Sequence, residues 1–344
     1  MNSNRVTLAD IARRAGVHPT TVSLALRNNP RIPEATRNRL KQLAQEMRYV
    51  PDPGAKALAS YRRDANAPRV VTPVAYVTNW NTRYGWREVT AHGDFYEGAR
   101  KRAEEIGMVV EHFWMREPGL THGRLSQILD SRGIRGVVVA SHVREIDEEL
   151  KLDWSRFSAV KIDYFPHRPE LPIVTNDQLH IIRLAMRKVL SAGYTRIGFV
   201  MDQGYDITVD HLWSAGFVWE QQSIAPSERI PPYMFPRRES LAEWIRRYRP
   251  EAIIGKAEWV FPTLEEMGIE VPRDMAYVDI FNEDETGKIA GVRQNHEVVG
   301  ATAINILSGL LQHNTVGIPE IPTTTLIEGT WIDGESLPKK TVWG

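Results

Sequence analysis

Three helix-boundary signals fall before Glu34, and their spacing leaves few folds open. Thr7-Leu8-Ala9-Asp10 has the form of a capping box, with Thr7 as N-cap and Asp10 reaching back to it three residues later. Leu8, Ile11, Ala12 and Ala15 then recur at helical spacing, and Gly16 stops the helix. Pro19 suits the first turn of a second helix, where its missing N–H would be unpaired in any case. That helix runs from Pro19 to about Leu26 and is expected to bury Val22, Ala25 and Leu26. A third begins near Pro33, with Leu40, Leu43, Ala44 and Met47 as its apolar stripe. Two short helices joined by a glycine turn and braced by a third make the helix-turn-helix layout.

A chain of 344 residues favours two or three compact units, and 42% hydrophobic residues suffice for a real core. No run of eighteen apolar residues and no charged-then-apolar leader is present, so neither a membrane span nor a secretory signal is expected. The absence of cysteine excludes disulfides and thiolate metal sites and fits a cytoplasmic protein. No cofactor is expected. The net charge of zero conceals a division. Residues 1–63 carry twelve Lys/Arg against four Asp/Glu, a net +8, so the remainder must carry −8. A basic head on an acidic body points to a head that binds a polyanion.

The head resembles the N-terminal signature of the LacI/GalR repressors. The matching residues are Val6-Thr7-Leu8-Ala9-Asp10-Ile11-Ala12-Arg13-Arg14-Ala15-Gly16-Val17 and Thr21-Val22-Ser23. The match continues through Ile32-Pro33-Glu34-Ala35-Thr36-Arg37 and Tyr49-Val50-Pro51-Asp52-Pro53. It ends in Ala55-Lys56-Ala57-Leu58-Ala59-Ser60, similar to the family's hinge helix.

The resemblance implies double-stranded DNA as partner, in a palindromic operator, with a division of labour. His18, Pro19 and Thr20 would meet base edges at the start of the recognition helix, with Leu24 one turn on. Thr7, Thr21, Ser23 and Arg27 would hold phosphates. Leu58, with Lys56 beside it, would wedge the minor groove at the operator centre. Two hinge helices meeting in one groove imply at least a homodimer. Leu24 stands where many members carry a guanine-reading arginine, and leucine touches only a thymine methyl or excludes other bases. His18, a poor N-cap, stands where the family often has serine.

Beyond a polar linker, short β-rich runs alternate with helical patterns from about residue 70, which predicts parallel sheets covered on both faces. The runs are Val70–Val77, Met108–Phe113, Gly136–Ala140, Ala159–Ile162, Arg196–Met201, Ala252–Ile254 and Ala276–Ile280. Helices are expected at about 94–106, 121–132, 177–192, 210–222, 239–248 and 295–312. This body resembles the same family's effector domain, itself similar to periplasmic sugar-binding proteins, in Gly133-Ile134-Arg135-Gly136-Val137, Gly193-Tyr194-Thr195-Arg196-Ile197-Gly198, Ala215-Gly216-Phe217, Pro250-Glu251-Ala252-Ile253-Ile254 and Val271-Pro272-Arg273-Asp274. The fold implied is an all-α helix-turn-helix head and two doubly wound parallel-sheet lobes, the chain crossing between them several times. An effector, sugar or sugar derivative, would sit in the cleft. The expected divisions are 1–51 (head), 52–69 (hinge helix and linker) and 70–344 (ligand binding and dimerisation).

Open parallel sheets bind ligands outside the carboxyl ends of their strands. That rule nominates Trp80, Arg83, Tyr84, Trp114 and His142 on one lobe, and Asp163, Tyr164, Asp202, Lys256 and Asn282 on the other. Asp177 follows the crossover in the family's register, and Trp213 opens the Ala215-Gly216-Phe217 helix turn. Aromatic faces mixed with polar groups suit a polar, ring-shaped ligand. Trp213 replaces an arginine that many sugar-responsive members use, and Asn282 replaces an aspartate, so stacking rather than an arginine clamp is expected. Three rival classes are weaker. An enzyme would show a catalytic signature, and no P-loop, G-x-S-x-G, H-E-x-x-H or G-x-G-x-x-G occurs. A secreted solute-binding protein needs a leader and no basic head, and a nucleoid-type binder needs no ligand cleft.

Overall fold

In the head, each helix starts and stops where a side chain or a glycine satisfies its end. The computed structural model describes residues 6–47, 49, 71–143 and 148–340. Helix α1 (Leu8–Ala15) begins at Thr7, whose hydroxyl accepts from the Asp10 amide while the Asp10 carboxylate accepts from the Thr7 amide at 3.0 Å. Gly16 closes it at φ 69°, and Arg39 donates to the Ala15 carbonyl at 2.7 Å, satisfying one of the helix's orphan acceptors. Helix α2 (Pro19–Leu26) and α3 (Glu34–Glu46) complete the unit. Ile11, Ala12, Val22, Ala25, Leu40 and Ala44 form its buried core. Leu26, Leu43 and Met47 are only half-buried, since in so small a unit most side chains reach the surface. Lys56 and Leu58 lie outside the described residues.

The body holds two six-stranded sheets. The first contains β1 (Thr72–Asn79), β2 (Met108–Trp114), β3 (Gly136–His142), β4 (Ser158–Ile162) and β5 (Ile173–Asn176). The second contains β6 (Ile197–Asp202), β7 (Tyr233–Phe235), β8 (Ala252–Gly255), β9 (Ala276–Asp279) and β10 (Gly291–Arg293). The last two strands divide, β11 (Thr324–Ile327) joining the first sheet and β12 (Thr330–Ile332) the second. The strand orders are β11-β5-β4-β3-β1-β2 and β12-β10-β9-β8-β6-β7, so the chain passes from one sheet to the other three times. The described pairings are parallel except β10 with β12. Strand β12 follows β11 after only two residues, one of them Gly329, where a Cβ would press on Val292 and Ile181. By internal packing the chain divides into two compact units, Met1–Pro172 with Gly300–Thr323, and Ile173–Val299 with Thr324–Gly344.

Crossover helices α4 (Thr90–Glu105), α5 (His122–Ser131), α6 (Gln178–Ser191), α7 (Gln203–Thr208), α8 (Leu212–Glu220), α9 (Leu241–Tyr248), α10 (Ala257–Glu266) and α11 (His296–His313) follow the alternating pattern of the sequence. Strand β3 is buried throughout, as its Gly-Val-Val-Val-Ala run requires of a central parallel strand. On Gly136 a Cβ would lie 3.0–3.1 Å from Val74, Leu307 and Leu311, so glycine lets α11 settle onto the strand. Gly300 does the same between helices, since a Cβ there would lie 2.0 Å from the Phe95 carbonyl oxygen of α4. No described helix is long and apolar enough to cross a membrane.

Several elements differ from the sequence expectation. The helix expected over 210–222 is α8 alone, ending in a 3-10 turn at Gln221–Ser223, and α7 precedes it unannounced. Between them Asp210 and His211 take left-handed backbone (φ 54° and 61°). The buried Asp206 carboxylate pins this turn, accepting from the Ser214 amide at 3.0 Å and hydroxyl at 2.7 Å and meeting the His211 ring at 3.0 Å. Strands β5, β7, β10, β11 and β12, each three or four residues long, are not read from sequence. Strands β8 and β9, equally short but buried throughout, are read, because their runs are apolar. Helix α10 is hidden by Pro262 in its interior, which reads as a breaker.

Candidate functional site

The head presents the start of α2 to solvent. His18, Pro19 and Thr20 are exposed, while Thr21, Ser23 and Leu24 are half-buried beside them. This follows from the core: Val22 and Ala25 turn inward, so residues at the helix start face out. His18 was expected to be a poor N-cap; in the structure it caps α2, its Nδ1 accepting from the Thr20 amide at 3.3 Å. A ring nitrogen two bonds beyond Cβ occupies the place a serine hydroxyl usually takes. Arg27 folds over Ser23, donating to its carbonyl at 3.0 Å and its hydroxyl at 2.6 Å. Thr7 is committed to the α1 cap, where its hydrogen bonds hold the Asp10 carboxyl below the usual range. Arg13 and Arg14 are exposed on the last turn of α1.

In the first sheet β1 lies between β2 and β3, so the crossover direction reverses at the β1/β3 junction, the position where such sheets leave a crevice at their carboxyl ends. Asn79 and His142 are register partners there. Both are buried, and the Asn79 Oδ1 has no hydrogen-bond partner in the structure. Unsatisfied buried acceptors are uncommon and mark places where a donor from a ligand or water is wanted. Ser141, at φ 53°, lies 3.3 Å from the His92 ring, and His142 Nδ1 lies 3.0 Å from the Ala140 carbonyl. Trp80 packs edge-on against His92, and Trp114 donates to the Trp80 carbonyl at 2.9 Å. Asp163 and Tyr164, expected on the other lobe, follow β4 and so belong to this first sheet, because the chain leaves it only after β5. Asp163 lies at φ 66°, with Tyr164 half-buried next to it.

The loop after β1 is anchored by Trp86, fully buried against Tyr76, Tyr96 and His112. Sequence reasoning nominated Trp80, Arg83 and Tyr84 on this loop but missed Arg87 and His112. His112 gives no local signal because its neighbours come from three other segments. Desolvation, then the Arg83 and Arg87 charges, bring its pKa from the ordinary 6.5 down to about 4. The unfolded chain therefore binds this proton first, so the stability is present above about pH 6.5 and lost as pH falls toward 4. Full burial would make the loss about 3 kcal/mol; for a partly solvated ring, about 1–2 kcal/mol is expected. Urea midpoints at pH 7 and pH 4.5 should differ less in His112→Gln than in the parent, and an identical difference would count against this assignment.

In the second sheet the reversal falls between β6 and β8. The polar groups expected there have local structural partners. Asp202 caps α7 through the Tyr205 amide, and Asp177 caps α6 through the His180 amide at 2.8 Å. Asn282 is buried, donating to the Ile289 carbonyl and accepting from the Asp284 amide. Lys256 pairs with Glu258 at 2.7 Å and lies 5.8 Å above the rings of Trp259 and Phe281. Trp213 is 2% exposed, its ring 5.6 Å from Phe281. Two residues were missed here. Asp279 is buried, its pKa raised by desolvation, and it accepts from the Ala257 and Phe281 amides and the Tyr277 hydroxyl. Phe281 joins Tyr205, Trp213 and Trp259 into one aromatic group.

Residues 7–52 match the model of bacterial regulatory proteins of the lacI family. The regulator DegA of Bacillus subtilis is 24% identical over 206 residues, 58% of this chain; the chain spans little more than half of that relative's length (56%). Two solved structures share the fold. A complex of the transcriptional regulator CelR with cellobiose is 20% identical with a TM-score of 0.56, covering 96% of this chain and 100% of that one. A lac repressor dimer bound to operator and the anti-inducer ONPF is 16% identical with a TM-score of 0.56, covering 97% and 100%. The three-helix head thus lies in the segment that matches the lacI family of bacterial regulatory proteins, and the two parallel-sheet units behind it share the fold of solved regulators.

Proposed function

We propose that this protein is a sequence-specific DNA-binding transcription regulator, most consistent with a repressor, whose operator affinity is set by a small-molecule effector. The observation that carries the reading is the exposed start of α2 on a head with a net +8 over residues 1–63. A protruding helix start reads base edges in the major groove, and the surrounding cations supply the salt-dependent part of affinity by displacing counterions from phosphates. His18, Pro19, Thr20 and Leu24 are assigned to bases, and Thr21, Ser23 and Arg27 to phosphates; Thr7 would serve a phosphate only by releasing a donor from the Asp10 cap. Lys56 and Leu58 keep the minor-groove role that the resemblance implies. A homodimer on a palindromic operator matches the assembly named for the lac repressor structure.

The effector class proposed is a sugar or sugar derivative. Ring faces at the carboxyl ends of the first sheet, from Trp80, Tyr84 and Trp114, suit the apolar face of a pyranose, and the unpaired Asn79 acceptor suits a hydroxyl donor. The cellobiose in the CelR complex supports the same class. Regulation, rather than turnover, is the role assigned. The expected result is that the full chain binds its operator with log K falling by about 0.9 per phosphate contact for each log unit of salt. Residues 71–344 alone should bind no duplex, and Arg27→Glu in the full chain should weaken binding at all sequences alike. Equal duplex affinity for the truncated chain would remove the assignment.

A further inference from the structure

We propose that Arg83, Tyr84 and Arg87 form a binding site for a small ring-bearing carboxylate on the first unit. The loop that carries them is held rigidly in place. Trp86 plugs it into the sheet and donates to the Arg83 carbonyl at 3.1 Å. Gly85 donates to the Thr82 hydroxyl at 3.0 Å, and Asn81 accepts from Arg116 at 2.9 Å. On this base Tyr84 is 52% exposed, with both guanidiniums beside its ring: Arg87 at 5.2 Å from the ring centroid and Arg83 at 5.8 Å. Arg87 also lies 5.1 Å from the Trp86 ring and 4.9 Å from the Tyr96 ring.

The charges in this group are poorly balanced. Arg83 has a carboxylate at 3.6 Å, that of Glu117, and both side chains are nearly half exposed. Arg87 has neither an ion pair nor a side-chain hydrogen bond among the described residues, although five N–H donors of fixed geometry surround its planar head. Rings against its faces orient that fork and leave its donor edge for a planar carboxylate, which a guanidinium can bind in bidentate fashion. Tyr84, half exposed as a residue beside both guanidiniums, adds apolar surface for the ring attached to that carboxylate. His112 completes the surroundings. It lies 5.6 Å from Tyr84 and 5.5 Å from Trp86, its Nε2 is 2.8 Å from the Thr78 hydroxyl, and its buried Nδ1 has no partner. The groups facing it are Tyr76 and Thr78 from β1 and Arg83, Tyr84, Trp86 and Arg87 from the loop; the carboxylate nearest these cations among the described residues is Glu117, paired with Arg83. It is a neutral reporter of the charge brought to the two arginines.

The proposal deepens the effector-sensing reading, with which it shares Tyr84, and it is tested without DNA. D-glucuronate, D-glucose and inorganic phosphate are titrated into the full chain by calorimetry, and the His112 ring is followed by NMR. Glucuronate is expected to bind at least tenfold tighter than glucose and to raise the His112 pKa, because an anion offsets the part of the depression that the two cations add to desolvation. Arg87→Ala should weaken glucuronate at least tenfold, Arg87→Lys less, and Tyr84→Ala should weaken glucuronate but not phosphate. An unchanged thermal midpoint in these surface variants separates a lost site from a lost fold. Equal affinity for glucuronate and glucose, or unchanged glucuronate affinity in Arg87→Ala, overturns the site. Glucuronate binding that survives in a protein with no operator affinity would refute the regulatory reading and leave this one standing.

Discussion

Ile11→Ala is expected to unfold the head and reduce duplex binding to background while both body sheets stay folded. The isoleucine is fully buried between α1, α2 and α3, with only Ala12, Val22, Ala25, Leu40 and Ala44 as buried companions. Removing a buried isoleucine side chain costs about 2–5 kcal/mol. A unit this small has a thin margin, because little of its surface is removed from water on folding. The same loss is therefore decisive in the head and tolerable in either sheet. Amide NMR of the full chain would show the head resonances collapse while the rest persist, and operator affinity should fall with them. Thr20→Ala is the control: exposed at the start of α2, it should leave the head folded and change only the preferred operator. A folded head with full operator affinity in Ile11→Ala would show that the six-residue core does not hold the unit together.

The second large effect is expected at Trp213. The family resemblance implies an arginine at this position, and with tryptophan there stacking on an effector ring is the expectation from sequence. In the structure the indole is enclosed within its own unit, 2% exposed and packed near Phe281. Trp213→Ala should then cost about 3–5 kcal/mol through lost contact and the cavity left behind. Loss of effector response in that variant would not by itself identify a ligand contact. Trp213→Phe keeps most of the packing and removes the indole N–H. The expected result is a large drop in denaturation midpoint for the alanine variant, with the phenylalanine variant near the parent in both midpoint and effector affinity. A midpoint for Trp213→Ala equal to the parent's would mean the ring is not a packing element, and the stacking role would regain its weight.

The head was legible in the sequence because its signals are local. A capping box, a glycine at φ 69° and a proline at the first helical position each act within four residues, so Thr7, Gly16 and Pro19 set α1 and α2 whatever surrounds them. The long crossover helices and the buried strands β1, β3 and β6 were legible for a similar reason: apolar period persists over enough residues to be read. Charge asymmetry between head and body is likewise a property of composition alone.

Only the tertiary structure decided which polar side chains are already committed. Asp177 and Asp202 cap helices, Asn282 holds a loop, and Lys256 pairs with Glu258. Asn79, which the sequence did not single out, is the residue whose buried acceptor has no partner in the structure. The fold also brought His112 beside Tyr76, Trp86 and Arg87, and Phe281 beside Trp213 and Trp259. Whether a carboxylate caps a helix or faces a ligand depends on which amides and cations the fold brings within about 3 Å of it. The partners of Asp177, Asp202, Lys256 and Asn282 are close in sequence, but local spacing does not say which side chain bends back to them. The partners of His112 and Phe281 come from distant segments. The sequence by itself determines the elements and the head, while the packing of sheets, loops and rings determines the sites.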